Sequence, residues 1–131
     1  ELANAESDAI SEALDEKEYE ELSTALGKGN NKALKELEKE QKSRSTRMIR
    51  DYLDRALLDL STLYRDVLLV QSGSSDSLIN QDLRDQINKM ATSAGPERTL
   101  KRIEAILKTR TNLAQNAAPL LLIEALMCEL R

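Results

Sequence analysis

The sequence contains no histidine, phenylalanine or tryptophan, and its 131 residues include only four glycines, two prolines and one cysteine. Without histidine, the chain has no imidazole base, no imidazole metal ligand and no catalytic triad of the usual kind. The single thiol, Cys128, excludes an internal disulfide and cannot by itself build a zinc or iron–sulfur site. Three tyrosines are too few to stack the successive bases of a single nucleic-acid strand. We therefore expect a non-enzymatic chain with no cofactor and no small-molecule substrate.

The scarcity of glycine and proline favours long helices, because few residues remain that end a helix or form a turn. The chain is rich in Leu, Ala, Glu, Lys and Arg, which are good helix formers, and poor in the aromatic residues typical of strands. Its length fits one domain. We expect an all-α helical bundle.

Two absences bear on location. No apolar run approaches the roughly 18 residues that cross a bilayer, and no basic segment followed by an apolar one opens the chain. We therefore expect a soluble, cytoplasmic protein without a membrane partner. The chain begins with Glu1 rather than Met, so we also expect it to be a piece of a longer protein.

Charge is unevenly distributed along the chain. Residues 1–26 carry nine acidic side chains and one lysine, whereas residues 28–50 carry eight basic side chains and three glutamates. Residues 51–131 are nearly neutral. This pattern predicts two parts. The first is a separate, acidic helical lead-in over residues 1–31, and the second is a helical domain over residues 32–131.

Periodicity and helix breakers place the elements. Residues 32–71 contain neither glycine nor proline and predict one long helix, which would extend roughly 60 Å. We interpret Gly27–Asn31 as a helix stop, since it lacks the spacing and the preceding strand of a phosphate-binding loop. Asn116 is predicted to cap the last helix, with Pro119 in its first turn. The predicted helices span residues 4–26 (one or two helices), 32–71, 81–92, 96–115 and 117–131.

The last predicted helix is apolar on nearly every side, from Leu120 to Leu130. A helix with this pattern is either the buried centre of a bundle or part of an interface shared with another chain.

Five lysines are spaced to lie on one side of the long helix: Lys28, Lys32, Lys35, Lys39 and Lys42. We call them the lysine stripe. A basic stripe can neutralise the phosphates of a duplex, so a stand-alone nucleic-acid-binding module is one hypothesis. Two others are pairing with the acidic residues 1–26 and a simple solvated face.

Acidic and basic residues also alternate along the second half of the long helix, at Asp51, Asp54, Arg55, Asp59, Arg65 and Asp66. Carboxylates on one helix can hold a metal ion, which gives an enzymatic hypothesis. The spacing of Asp51, Arg55 and Asp59 is the i,i+4 spacing of ion pairs, and a ladder of such pairs is the simpler interpretation. Arg65 and Asp66 precede a serine-rich loop and are placed to bond either the loop backbone or a neighbouring chain.

Two stretches carry a resemblance to a known family. The first joins Glu38–Arg44, Leu53–Leu60 and Tyr64–Leu68, and the second joins Ile103–Ile106, Asn112–Leu120 and Ile123–Leu126. Together they resemble the C-terminal collar domain of bacterial DNA polymerase III clamp-loader subunits, over roughly residues 36–131. The first stretch is most similar to the delta-prime subunit of actinobacterial type. Related gamma and tau subunits tend to have a second Asn where this chain has Ala118, which favours delta-prime.

The resemblance implies a role in assembly. In this family, the collar domains of five subunits pack into a ring that holds the ATPase-like modules together, and the loader places a sliding clamp on primed DNA during replication. The implied partners are the gamma/tau and delta subunits, with the clamp and DNA contacted only indirectly. The residues implied at a subunit interface are Arg65, Asp66, Asn80, Asn116 and Pro119, to which the apolar character of the last helix adds Leu122 and Leu126.

Overall fold

The computed structural model of the chain describes residues 2–26, 31–74 and 76–131. Those residues form five α-helices and one short 3₁₀ turn, with no strand among them, which confirms the all-α prediction. In chain order the elements are α1 (Leu2–Leu26), α2 (Asn31–Gln71), the 3₁₀ turn (Gln81–Leu83), α3 (Arg84–Ser93), α4 (Pro96–Ala114) and α5 (Pro119–Glu129). None of these helices is both long and apolar enough to cross a membrane.

The chain divides into two compact units, Glu1–Leu53 and Asp54–Arg131. The first unit contains α1 and α2 as far as Leu53. The second contains α2 from Asp54 onward and the other elements. The α1 helix is continuous where the sequence allows one helix or two. The predicted stop at Gly27–Asn31 lies outside the described residues except for Asn31, which begins α2.

The core of the second unit is built from one side of α2 packed against the shorter helices. Val67, Leu78 and Ile87 form a buried cluster that joins α2, the loop after it and α3. Further buried side chains come from α2, α4 and α5: Leu57, Tyr64, Ala105, Ile106, Leu113 and Leu126. Leu57, Tyr64 and Val67 are spaced seven and three residues apart, which places them on one side of α2, and that side faces the core.

Helix α2 ends in a Schellman motif, which satisfies its last carbonyl groups. The Ser74 N–H donates to the Leu69 carbonyl at 2.9 Å, and the Gly73 N–H donates to the Val70 carbonyl at 3.1 Å. Gly73 supplies the left-handed backbone that the motif needs, with φ of +81°. The glycine and the loop after it therefore stop a helix that contains no breaker over its 41 residues.

The junction between α4 and α5 corrects one prediction. The sequence predicts Asn116 as the cap of α5, but the N-cap position is Ala118 and no side chain bonds the helix there. Asn116 instead ends α4 in a second Schellman motif: its N–H donates to the Leu113 carbonyl, and the Ala117 N–H donates to the Asn112 carbonyl, each at 3.3 Å. Its φ is +64°. Asparagine suits both positions, because it tolerates left-handed backbone as well as capping a helix.

Proline marks the start of both C-terminal helices. Pro96 follows the N-cap Gly95 of α4, and Pro119 lies in the first turn of α5, as predicted. The helix predicted over residues 81–92 is divided into the 3₁₀ turn and α3. These elements position a buried carboxylate behind the loop after α2 and the outer side of α5.

Candidate interaction surfaces

Asp66 is the polar centre of the second unit. It lies on α2 with no exposed surface, and three N–H groups from the loop donate to its carboxylate. The Ile79 backbone N–H reaches Oδ1 at 3.1 Å, the Asn80 backbone N–H reaches Oδ2 at 2.7 Å, and Nδ2 of Asn80 reaches Oδ2 at 2.9 Å. We call this arrangement the Asp66 clasp. It ties the loop after α2 back onto that helix.

The surroundings of the clasp keep the carboxylate ionised. Arg65 donates from Nη1 to Oδ1 of Asp66 at 3.3 Å while about half of its side chain remains exposed. Burial by itself raises the pKa of Asp66, but the bonds from Asn80 and Ile79 and the charge of Arg65 outweigh it. The net effect is a pKa below the usual value. The clasp is therefore a fully bonded structural carboxylate.

Two further carboxylates of α2, Asp54 and Asp59, contact arginines. Asp54 receives two bonds from Arg110 of α4, Nε to Oδ1 at 2.8 Å and Nη2 to Oδ2 at 3.0 Å. These bonds hold the pKa of Asp54 below its usual value, against an opposing effect of burial. Along the surface, Arg55 and Asp59 form the one described pair of the predicted ladder, at 3.7 Å. Within the described part of the chain, no group of three or more potential metal-ligating side chains occurs.

The lysine stripe is exposed at each of its four described members, Lys32, Lys35, Lys39 and Lys42; Lys28 lies outside the described residues. The contacts from α2 to α1 use other residues. Gln41 donates from Nε2 to the Asp15 carbonyl at 3.1 Å, and Arg44 donates from Nη1 to Oε1 of Glu18 at 2.7 Å. Helical spacing puts Gln41 and Arg44 on nearly the opposite side of α2 from the lysines.

The hypothesis that the lysine stripe pairs with the acidic lead-in is not supported by the described contacts, in which Arg44 and Gln41 join α2 to α1. The bond from Arg44 lowers the pKa of Glu18, and the same pairing raises the pKa of Arg44. A signal for this was present in the sequence, since Gln41 shares a helical face with Leu34 and Leu37, and a polar residue on an apolar stripe is placed to bond a packed partner.

Helix α5 has a buried and an exposed apolar side. Leu126 is 3% exposed and belongs to the core, and Leu122 is half-buried. On the other side, Leu120, Leu121 and Met127 are 68%, 65% and 62% exposed, and Ala125 and Cys128 are exposed beside them. We call these five side chains, with Glu124 among them, the α5 outer face. The sequence predicts an unusually apolar helix but does not say which side is covered.

The end of the chain is held against α4. Arg98 and Arg102 each donate through Nη2 to the Arg131 backbone carbonyl, the latter at 3.2 Å. The guanidinium of Arg102 also lies over the ring of Tyr64, 5.8 Å from its centroid, within the range of a cation–π interaction. The contacts to Arg131 join the residues just after α5 to α4, and the contact between Arg102 and Tyr64 joins α4 to α2.

The predicted interface residues fall into three places. Arg65, Asp66 and Asn80 meet in the clasp. Asn116 and Pro119 lie at the junction of α4 and α5. Leu122 and Leu126 are on the inner side of α5. The structure gives Asp66, Asn80 and Leu126 roles inside the fold, and contact of the seven residues with a neighbouring chain stays a prediction.

Comparison with known proteins gives one finding. Residues 15–131 match the family described as DNA polymerase III, delta subunit, C terminal. The match begins earlier than the resemblance seen in the sequence and includes the second half of α1. No curated protein and no solved structure gives a significant match.

Proposed function

Since the chain belongs to the family of C-terminal domains of the DNA polymerase III delta subunit, we propose that it is a non-catalytic assembly domain of a bacterial clamp loader. The observation that carries the proposal is the family match. It extends over residues 15–131 and so includes most of the first unit and all of the second. The α5 outer face is consistent with it, because a helix with so much exposed apolar surface is typical of a contact between proteins.

The finer assignment rests on the residues of the sequence. We propose that the chain is the collar domain of a delta-prime subunit, because its stretch Glu38–Arg44, Leu53–Leu60 and Tyr64–Leu68 is most similar to that subunit. Ala118 argues against gamma and tau, which tend to have a second Asn there. Its partners would then be the collars of gamma/tau and delta, and the sliding clamp and primed DNA would be reached only through the assembled loader. The complex would work in the bacterial cytoplasm, at the replication fork. Residues 32–131 would form the collar, with residues 1–31 as its lead-in.

The described residues do not favour the alternative function of a stand-alone nucleic-acid-binding module. Exposure of four lysines is what a solvated helix face also shows, and exposed Glu36, Glu38 and Glu40 alternate with them along α2. The family match gives it no support.

The proposal is tested by size-exclusion chromatography with light scattering. The 131-residue chain is run alone and then mixed with gamma/tau and delta subunits of the same species. We expect it to co-elute with them as a complex of defined mass. A chain that elutes at its own mass beside both partners, while retaining the helical circular dichroism spectrum of the free chain, would contradict the proposal.

A further inference from the structure

We infer that the α5 outer face binds a helix of a neighbouring clamp-loader subunit, and that this helix presents apolar side chains around one arginine or lysine that pairs with Glu124. The inference rests on the proposed function and adds the chemistry of the partner to it. Three observations carry it: the exposure of apolar side chains on α5, the position of Glu124 among them, and the lack of a salt bridge to that carboxylate from any described residue.

The apolar side chains are the first observation. The inner side of α5 packs against the rest of the chain, with Leu126 buried and Leu122 beside it half-buried. On a helix that packs on one side only, the other positions are normally polar. Here Leu120, Leu121 and Met127 leave more than 60% of their surface in water. Burying this surface against a partner is favourable by about 25 cal/mol per Å² of apolar area.

Glu124 is the second observation, because it occupies the centre of the face. Residues three and four positions apart are neighbours on a helix surface. The four residues at those distances from Glu124 are Leu120, Leu121, Met127 and Cys128, all of them exposed. Glu124 is also exposed, and salt bridges within the described residues do not include it.

A carboxylate in this position restricts what can cover the face. Any partner that buries the four surrounding side chains also removes water from Glu124, and an unpaired carboxylate is costly to bury. The partner must therefore supply a cation at the centre of its own apolar surface. Arginine fits best, because its planar group pairs with a carboxylate through two hydrogen bonds and it is enriched at the centres of interfaces.

The same carboxylate argues against a second copy of this chain as the occupant. A two-fold interface brings the same patch of both copies together, so two apolar faces centred on Glu124 would place two carboxylates near each other. Like charges brought together at a dry interface repel strongly. A different protein is therefore the favoured occupant. Its contacting element is best a helix, because the side chains of one helix pack between the side chains that lie three and four residues apart on another.

Matched variants of the 131-residue chain test the inference by their affinity for the remaining loader subunits, measured by biolayer interferometry. We expect Glu124→Arg and Leu121→Ser each to weaken binding at least about tenfold. Glu124→Gln should weaken binding less and reduce its dependence on salt, since it removes the charge and keeps the size. Glu129→Arg changes an acid on the same helix but off the face, and Leu58→Ser changes an exposed leucine on α2. Both controls should bind within about twofold of the wild type, and all variants should keep the wild-type circular dichroism spectrum.

The outcomes separate the inference from the proposed function. If the wild-type chain does not bind the other subunits, the proposed function fails and the inference with it. If the wild type binds and Glu124→Arg and Leu121→Ser bind equally well, the chain is an assembly domain but the α5 outer face is not its contact. If the free chain dimerises with increasing concentration and Glu124→Arg abolishes the dimer, a second copy is the occupant and the inferred partner is wrong. Recovery of Glu124→Arg binding by an arginine-to-glutamate or lysine-to-glutamate change in the partner helix would establish the pair.

Discussion

Replacement of Asp66 with alanine removes the acceptor at the centre of the clasp. Three N–H donors, two from the backbone of Ile79 and Asn80 and one from the Asn80 side chain, then lose an acceptor that is itself fully buried. A buried donor left without a partner costs about 1–3 kcal/mol, and the loop can recover part of that by admitting water. We expect Asp66→Ala to lower the free energy of unfolding by about 3–5 kcal/mol, which is a large share of the stability of a small domain.

The assay is urea unfolding at neutral pH, followed by circular dichroism at 222 nm. With an ordinary dependence of the unfolding free energy on urea, the midpoint should fall by at least about 1 M. Asp82→Ala is the matched control, because Asp82 is an exposed acid in the 3₁₀ turn beside the clasp. It should change the stability by no more than about 0.5 kcal/mol. A change of that small size for Asp66→Ala would show that the loop does not depend on the carboxylate.

The pH dependence gives a second readout of the same carboxylate. The pKa of Asp66 is lowered in the folded chain relative to its usual value of 3.8, so the unfolded chain takes up the proton first as the pH falls. The stabilisation is fully present above about pH 4 and is lost as the pH drops through the folded pKa. Asp66→Asn has no such proton to bind. The stability difference between wild type and Asp66→Asn should shrink as the pH falls below about 4, and a difference that stays constant would contradict the assignment.

Three further predictions concern the end of α2, an ion pair and α5. Gly73→Ala should destabilise the chain by about 1 kcal/mol, because φ is +81° there; thermal melting measures the change. Breaking the partly exposed pair Asp54–Arg110 should yield a coupling energy of about 0.5–1 kcal/mol in a double-mutant cycle at low salt, decreasing as salt is added. Leu126→Asp should unfold the second unit, because that leucine is 3% exposed; circular dichroism would show the loss of helix.

Each of these predictions has an outcome that contradicts it. Gly73→Ala with wild-type stability would contradict the left-handed end of α2. A zero coupling energy at low salt would show that Asp54 and Arg110 do not bond in solution. If the Leu126→Asp chain kept its helical spectrum, Leu126 would not be a core residue in solution.

The long helix and the fold class could be predicted because they depend on local sequence. No glycine or proline interrupts residues 31–71, and helix propensity together with apolar spacing is sufficient to predict such an element. The placement of Arg65 and Asp66 before a loop also pointed to bonding with the loop backbone, one of the two alternatives considered. The structure shows that bonding at Asp66.

Other features could not be predicted, because they depend on contacts between distant residues. Asn116 fits the start of a helix and the end of one equally well, and the choice depends on where α4 stops. The Arg110–Asp54 pair joins residues 56 positions apart, and i,i+4 spacing on α2 pointed instead to a local ladder. The covered side of α5 depends on the way it packs on α4, and a run of consecutive leucines has no periodicity from which to determine it.

Hydrogen–deuterium exchange, measured on the chain alone and in the reconstituted clamp loader, shows whether the chain docks through the α5 outer face. If the chain is an assembly domain that docks through the α5 outer face, the amides of α5 should exchange more slowly in the complex, whereas those around the lysine stripe, residues 32–42, should exchange at the same rate in both. Equal exchange throughout α5, or protection confined to residues 32–42, would contradict the account.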